Sequence, residues 1–387
     1  MVHAYGIDPD HEILNTTKRV VDDVIAPHSA SADREARFPA ESVKALAAEG
    51  LLGLCIDVAH GGRGQSPRMF AAVTEELAMA DPSTAMIYVM HVAAAQAIAA
   101  SDVLERRDDV LRDIAGGRHL TTLAFSESGS RSQFWAPVSR LEEAGGDFET
   151  SAAKSWVTAA NHADSYVSSG QKPGAASPLE STIYLVRTTS PGVRVTSGFD
   201  GLGLRGNDSA PVSLDHLKVQ QGDLISKSGE GANTMLQVVL PWFSMGTAAM
   251  ANGISRAAVA RTAAHLSGTG FEHDGTKLRD LPILRARIAQ MSMQTEQSRA
   301  LLALTLTHVE AGSDVAPLYV LQSRLAAVEG ALAVTDMAMK ACGGAAFSKQ
   351  VGVERLFRDA RAGWVMAPTA DHLREFIGRA LTGLPLF

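Results

Sequence analysis

Two cysteines, Cys55 and Cys342, are the only thiols in 387 residues. Both sit in apolar or glycine-rich surroundings without CxxC spacing, which argues against a disulfide scaffold and a structural zinc site. No metal is expected. An apolar run of the ~18 residues that a membrane span needs is missing. A basic stripe is missing as well: 35 Lys and Arg against 42 Asp and Glu leave a net charge of −7, which speaks against a nucleic-acid partner. The opening stretch MVHAYGIDPDHEIL has no basic segment leading into an apolar one. It does not read as a signal peptide, and a cytoplasmic location is expected. What remains is an ordinary globular composition, 46% hydrophobic and 20% charged, long enough to bury a large core.

The pattern changes twice along the chain. Residues 1–119 read as a helical domain. SVKALAAEGLLGL, MFAAVTEELAMA and STAMIYVMHVAAAQAIAAS are helical runs, with a glycine loop, HGGRGQSP, between the first two. Asp81 and Ser83 stand where an N-cap belongs, with Pro82 in the first turn. Residues 120–228 break into short β-rich runs, such as DFETSAAKSWVT and STIYLVRTT. Turn residues separate them at roughly ten-residue spacing, which predicts a small antiparallel barrel or sandwich. Residues 229–387 return to long Ala- and Leu-rich helices of the kind that pack as a four-helix bundle. The expected class is α+β, mostly α. The last helix opens at WVMAPTADHLREFIGRAL, where Leu373, Phe376, Ile377 and Leu381 recur at helical spacing.

Five strings in register carry a resemblance. The first is EGLLG, the GG.G.S loop and EELAMADPSTA. LAFSESGS, KSWVTAANHADSYV, GLGLRGNDSAPVSLDHLKV and ACGGAAFSKQVGVERLFRDAR follow. In this order they resemble the acyl-CoA dehydrogenase superfamily over nearly the whole chain. The resemblance implies a flavoprotein, usually a tetramer, with FAD between the β domain and the bundle and shared across a subunit interface. By position, Phe125 and Ser126 would run along the flavin ring, Gly129 and Ser130 near the ring and its phosphates, and Trp156 and Thr158 on the other strand. Hydroxyls and strand amides suit the ring's polar atoms, and an indole supplies a flat wall. Gly343 and Gly344 would admit a partner subunit's cofactor, or else end a helix. Arg355, Arg358 and Asp359 read as a structural charge network, and Glu127 as structural too.

The departures concern chemistry. The family's last helix opens on E-G-T, whose Glu removes the α-proton of an acyl thioester. The register here places Ala367 and Pro368 at the first two positions and retains only Thr369. A methyl group takes no proton. The alternative base position, early in the first bundle helix, falls at about Phe243 and Ser244 in LPWFSMG, again with no carboxylate and without the Arg that follows it in the family. The Arg that reaches the FAD pyrophosphate is absent from HLSGTGFEHDG, and Lys340 stands close enough to the glycine pair to replace its charge. Without that contact FAD is held more weakly, or FMN or a reduced flavin serves as co-substrate. His91 and His372 are the ionisable candidates for catalysis, although a lone His on an apolar helix such as that of His91 is more often a satisfied core residue. Phe134 and Trp135, in the insertion RSQFWAP, would line a flat substrate pocket or bury their own turn. Arg205 is a further substrate-binding candidate.

Three functions stay open: a dehydrogenase-like flavin oxidoreductase with a base from elsewhere, a monooxygenase fed reduced flavin by a separate reductase, and a non-redox protein on the same scaffold. The substrate would be a small molecule, an acyl thioester or an aromatic compound. An electron-transfer or reductase partner and a homodimer or homotetramer are expected.

Overall fold

A computed structural model describes residues 3–386. The chain opens with α1 (Glu12–Val20), α2 (Ala26–Glu35), α3 (Ala40–Ala48), α4 (Pro67–Ala80), α5 (Pro82–Ala99) and α6 (Arg107–Ala115). The N-cap expected before α5 is present: the Asp81 carboxylate accepts from the Thr84 amide at 3.0 Å, with Pro82 in the first turn. Seven strands follow: β1 (Thr121–Ala124), β2 (Leu141–Ala144), β3 (Asp147–Val157), β4 (Ser165–Gln171), β5 (Ser181–Arg187), β6 (Val193–Val195) and β7 (Ala210–Val219). The remainder is helical: α7 (Gly231–Thr234), α8 (Leu240–Gly268), α9 (Pro282–Glu310), α10 (Ala316–Cys342), α11 (Gly344–Phe347), α12 (Val353–Val365) and α13 (Ala370–Leu381). None of these helices is long and apolar enough to cross a membrane.

The strands form a sandwich, and the barrel reading is corrected. One sheet is ordered β1-β4-β5 and the other β2-β3-β7-β6, with no strand shared between them. Phe148, Val157, Tyr166, Tyr184, Val212 and Leu214 fill the space between the two sheets. Nor is the domain wholly antiparallel. β1 pairs with β4 in parallel, because the chain leaves for the other sheet after β1 and comes back to the first. Strand β2, LEEA, escaped the sequence reading. It is a polar edge strand whose Glu142 and Glu143 are exposed. Its signal was the Gly145–Gly146 pair, both at positive φ, which closes a two-residue hairpin onto β3.

Helix α8 is the axis of the helical part. It packs on α4 and α5 on one side and on α9 and α10 on the other. A helix enclosed this way is apolar all round, and α8 is buried almost without a break from Phe243 to Ala258. The close approach to α4 depends on Gly253, where a Cβ would come within 2.4 Å of the Glu75 carbonyl oxygen. Beside it the buried Glu75 carboxylate accepts from Arg256 at 2.8 Å, from Arg299 at 2.9 Å and from the Tyr5 hydroxyl. This single group joins α4, α8, α9 and the N-terminal segment.

Helix α12 makes a second set of ties, which accounts for the charge density of VERLFRDAR. Arg358 pairs with Asp33 at 2.6 Å, Asp359 accepts from the Leu204 amide at 2.7 Å, and Arg355 donates to the Ala80 carbonyl at 2.8 Å. The charge network is structural, as expected.

Glu75→Ala leaves two guanidiniums in a buried place without their shared counter-ion, and such a loss costs about 3–5 kcal/mol. Urea denaturation should show that loss. Glu296→Ala removes a 58% exposed partner of Arg299 and should change stability by less than ~1 kcal/mol.

Candidate functional site

Two of the quoted strings become neighbours in space. Residues 126–128 run beside β3: the Ser155 amide donates to the Ser126 carbonyl at 2.9 Å, and Glu127 bridges Lys154 in antiparallel register. The pairing is locked by a buried ion pair, Lys154 Nζ to Glu127 Oε1 at 2.6 Å. The other carboxylate oxygen of Glu127 accepts from the amides of Val138 and Ser139 at 2.6 and 2.8 Å, which pins the far end of the insertion 131–137. Burial works against the charged form of Glu127, but Lys154 and these hydrogen bonds outweigh it, and its pKa is lowered overall.

The register of β3 slips between Lys154 and Val157. At this bulge Trp156 adopts φ +58° and turns its ring outward, 69% exposed. A non-glycine residue in the left-handed region is strained by ~1–3 kcal/mol. Here the strain places a bare indole face next to the Phe125–Ser126 segment. Past the bulge, the Thr158 and Ser209 hydroxyls are buried 3.0 Å apart. Only one of the two can donate in that contact, so the other proton is available to a ligand. Ser130 is turned inward, its hydroxyl closing the turn against the Glu127 backbone. Gly129 borders a cavity of about 540 Å³ with Val138, Glu149, Ser151 and His216, on a different side from Trp156.

The insertion docks on α13. Phe134 stacks on Phe125 at 6.2 Å and meets Trp135 edge-on at 5.2 Å. Trp135 in turn contacts His372 at 5.8 Å and Phe376 at 5.5 Å. Phe134 and Trp135 are both buried, so the turn-burying reading of this pair is the one seen, and no open substrate wall is formed by them. Thr369 caps α13, its hydroxyl accepting from the His372 amide at 3.3 Å and meeting His372 Nδ1 at 3.2 Å. His372 thereby lies at the mouth of the helix, half-buried.

Three candidates are corrected. His91 is completely buried and uses both ring nitrogens. Nε2 lies 3.1 Å from the Leu52 carbonyl, which can only accept, so Nε2 carries the proton. Nδ1 then accepts from the Thr121 amide at 3.1 Å. It is a core residue with no nitrogen left for catalysis. Arg205 turns to the Asp33 and Gly201 carbonyls and to Asp200. It fastens its own loop to α2 and does not face a substrate. Lys340 is 63% exposed and paired with Asp336 at 2.6 Å, one turn back on α10, so its charge is not held ready for a phosphate. Gly343 does end α10, at φ +56°, and a Cβ on either Gly343 or Gly344 would meet nothing within 4 Å. That face is open.

The sequence reading missed Arg324. It lies in the middle of α10, completely buried. Its Nη2 donates to the Met366 carbonyl at 3.0 Å, and its guanidinium sits 4.7 Å over the Phe243 ring. Nε and Nη1 have no hydrogen-bond partner. Burial draws its pKa down to about 9, and no acidic group offsets the burial. The signal was available: Val320, Leu321, Ala327 and Val328, its helical neighbours, are all apolar. The ligand-like cluster of His3, Glu75 and Glu76 differs in kind, since two guanidiniums already occupy its carboxylates.

The N-terminal domain of the acyl-CoA dehydrogenases matches residues 8–118, and their C-terminal domain matches residues 229–382. The chain belongs to the acyl-CoA dehydrogenase family. The family is one of FAD-dependent oxidoreductases. A probable acyl-CoA dehydrogenase of Bacillus subtilis, YngJ, is 25% identical over 365 residues, covering 92% of this chain and 93% of its own. Among solved structures, butyryl-CoA dehydrogenase from Megasphaera elsdenii superposes with a TM-score of 0.92 at 20% identity, over 97% of this chain and 98% of its own. The FAD complex of PigA does so with a TM-score of 0.89 at 19% identity, over 96% and 97%. These superpositions are likenesses of fold.

The pKa of His91 is drawn down to about 4 by burial, against about 6.5 in an unfolded chain. The folded state therefore binds its proton more weakly than the unfolded state. The stabilisation is complete above pH ~6.5 and is lost as the pH falls towards 4, by on the order of 3 kcal/mol. Urea midpoints measured from pH 7 to pH 4 should fall accordingly. In His91→Gln the His91 share of that slope should vanish.

Proposed function

We propose that this acyl-CoA dehydrogenase family member is a flavin-dependent oxidoreductase that does not carry out the standard α,β-dehydrogenation of saturated acyl-CoA thioesters. The observation that carries the flavin half is Trp156. A strained backbone holds an exposed indole beside the Phe125–Ser126 segment, a disposition that burial in this chain does not reward but a bound aromatic ring would. The residues present fit FAD there: Trp156 as the wall, Thr158 with Ser209 as a hydrogen-bonding pair, Ser126 along the edge, and Thr369 at the start of α13. Bound FAD would accept two electrons. The chain's own task is to orient the substrate against that ring and to keep water out, which the Phe125, Phe134, Trp135, His372 and Phe376 cluster supports.

The second half rests on Ala367. It precedes the buried Pro368 and the α13 cap, and offers only a methyl group. The other base position is filled by the Phe243 ring under the Arg324 guanidinium. A positioned general base is worth ~10²–10⁴-fold in rate, and neither position supplies one. His372 is a half-buried ionisable side chain in the first turn of α13, where its neighbour Asp371 is exposed.

The monooxygenase reading has one observation in its favour. Lys340 is spent on Asp336, and residues 265–275 contain no Arg, so the phosphate end of the cofactor meets no preorganised charge. A flavin held loosely suits delivery from a separate reductase. A homodimer or homotetramer is part of the proposal: Phe347, Trp364 and Val365 are exposed large apolar side chains, at 90, 50 and 68%.

Titration with FAD, followed by the flavin absorbance, should saturate in the micromolar range, and Trp156→Ala should weaken it at least ten-fold. No binding of FAD, FMN or their reduced forms at tens of micromolar would remove both redox readings. Assayed with C4 to C16 acyl-CoA and an artificial acceptor, the protein should be essentially inactive. Ala367→Glu combined with Pro368→Gly should introduce activity, because Pro fixes the backbone where the new carboxylate must swing. Turnover of several per second by the unmodified chain would reveal an unseen base, with His372 the first to replace.

A further inference from the structure

The structure holds a buried cation, Arg324, that has no ion-pair partner among the described residues. Arg324 reaches the junction of α8, α10 and the link between α12 and α13, where it touches the Phe243 ring and the Met366 carbonyl. Nε and Nη1 are closed off from solvent and unpartnered among the described residues. Among the described residues no carboxylate makes an ion pair with it. Other buried charges show the usual pattern: Lys154 has Glu127 and the Ser169 carbonyl, and Glu75 has two guanidiniums and a phenol. A guanidinium cannot shed its proton to escape burial at neutral pH, so an unpaired one is costly wherever it is kept. Met366 and Ala367, on the link above it, are half-buried, which leaves Arg324 one residue beneath accessible surface.

We propose that Arg324 is a substrate-binding residue whose missing counter-ion arrives with the ligand, and that the substrate carries a carboxylate bound against Nε and Nη1 beside Ala367 and Phe243. The inference deepens the function proposed above and rests on it for the position of the reacting centre. A monoanion matches the site better than a phosphate. One positive charge against Phe243 and the Met366–Ala367 link balances one carboxylate, whereas a dianionic phosphate would leave a net buried negative charge. A carboxylate also accepts two or more charge-assisted hydrogen bonds with the planar geometry that guanidinium favours. The buried Ser244 hydroxyl, next to Phe243 on α8, is likewise without a partner.

The test compares matched probes on the FAD-loaded protein: phenylacetate against phenylacetamide, and butyrate against butyramide. Binding is read by perturbation of the flavin spectrum and, separately, by the shift in melting temperature. The acids should bind at least ten-fold more tightly than the amides. Arg324→Met should bring that ratio close to one, and Arg324→Lys should keep most of it. Equal binding of acid and amide overturns the proposal, as does a preference that survives in a folded Arg324→Met. A change in FAD affinity with an unchanged acid-to-amide ratio assigns the charge to the flavin and also overturns it. Should Arg324→Met fail to fold, the ratio in the unaltered protein decides. If the chain takes up no flavin, the functional reading fails, while the melting shift of the flavin-free protein still reports whether Arg324 receives a carboxylate.

Discussion

The arrangement of this molecule depends on the carboxylate of Glu75. It is buried where α4 crosses α8, and it accepts from Arg256 on α8, Arg299 on α9 and Tyr5 from the N-terminal segment. A charge so placed is tolerated only with its partners complete, so the helices that supply them are fixed relative to one another. Asn252 and Ser298 extend the same network along the α8–α9 contact. With α8 held, its first turn is held too. Phe243 therefore meets α10 and Arg324, and α10 carries the Met366 carbonyl and the start of α13 into the same corner.

The β domain contributes a different kind of constraint. Lys154 and Glu127 are both buried and satisfied, and they clamp residues 126–128, just after β1, against β3 immediately before the bulge. The clamp absorbs the backbone strain at Trp156 and directs its ring outward. Glu127 also holds the amides at 138 and 139, so the aromatic insertion can only fold back over Phe125 towards α13. Through that insertion the sandwich and the last helix meet at one aromatic cluster.

Charge is distributed around the site in an unusual sense for a family of carboxylate-assisted oxidations. On the proposed reading, Ala367 and the Phe243–Ser244 region stand at the family's two base positions, Lys340 pairs with Asp336 at the surface, and Arg324 is a buried positive charge without an ion-pair partner among the described residues. An apolar, positively charged interior favours a ligand that brings its own anion. It does not favour one that must be deprotonated by the protein.

How much of this the sequence determined by itself follows from the range of the interactions concerned. The helix–sandwich–helix plan was legible because it rests on hydrophobic periodicity and turn chemistry, which are local, and the Asp81 cap rests on a three-residue contact. That Ala367 stands two residues before Thr369 is a matter of residue identity in a fixed register, and on the proposed reading it is where the family's base would lie. The sheet topology was not, since the parallel pairing of β1 with β4 joins residues more than forty positions apart and leaves no trace in either strand. His91 could be read as core or as catalyst from an apolar helix, and only the positions of the Leu52 carbonyl and the Thr121 amide decided for the core. Arg205 and Lys340 looked available until the structure showed Asp33, Asp200 and Asp336 beside them. Arg324 was visible as a lone cation among apolar helical neighbours, but whether a distant carboxylate reached it was a question about the folded chain. Whether a buried charge is paired depends on what packs against it from other elements, and that was decided by the tertiary structure alone.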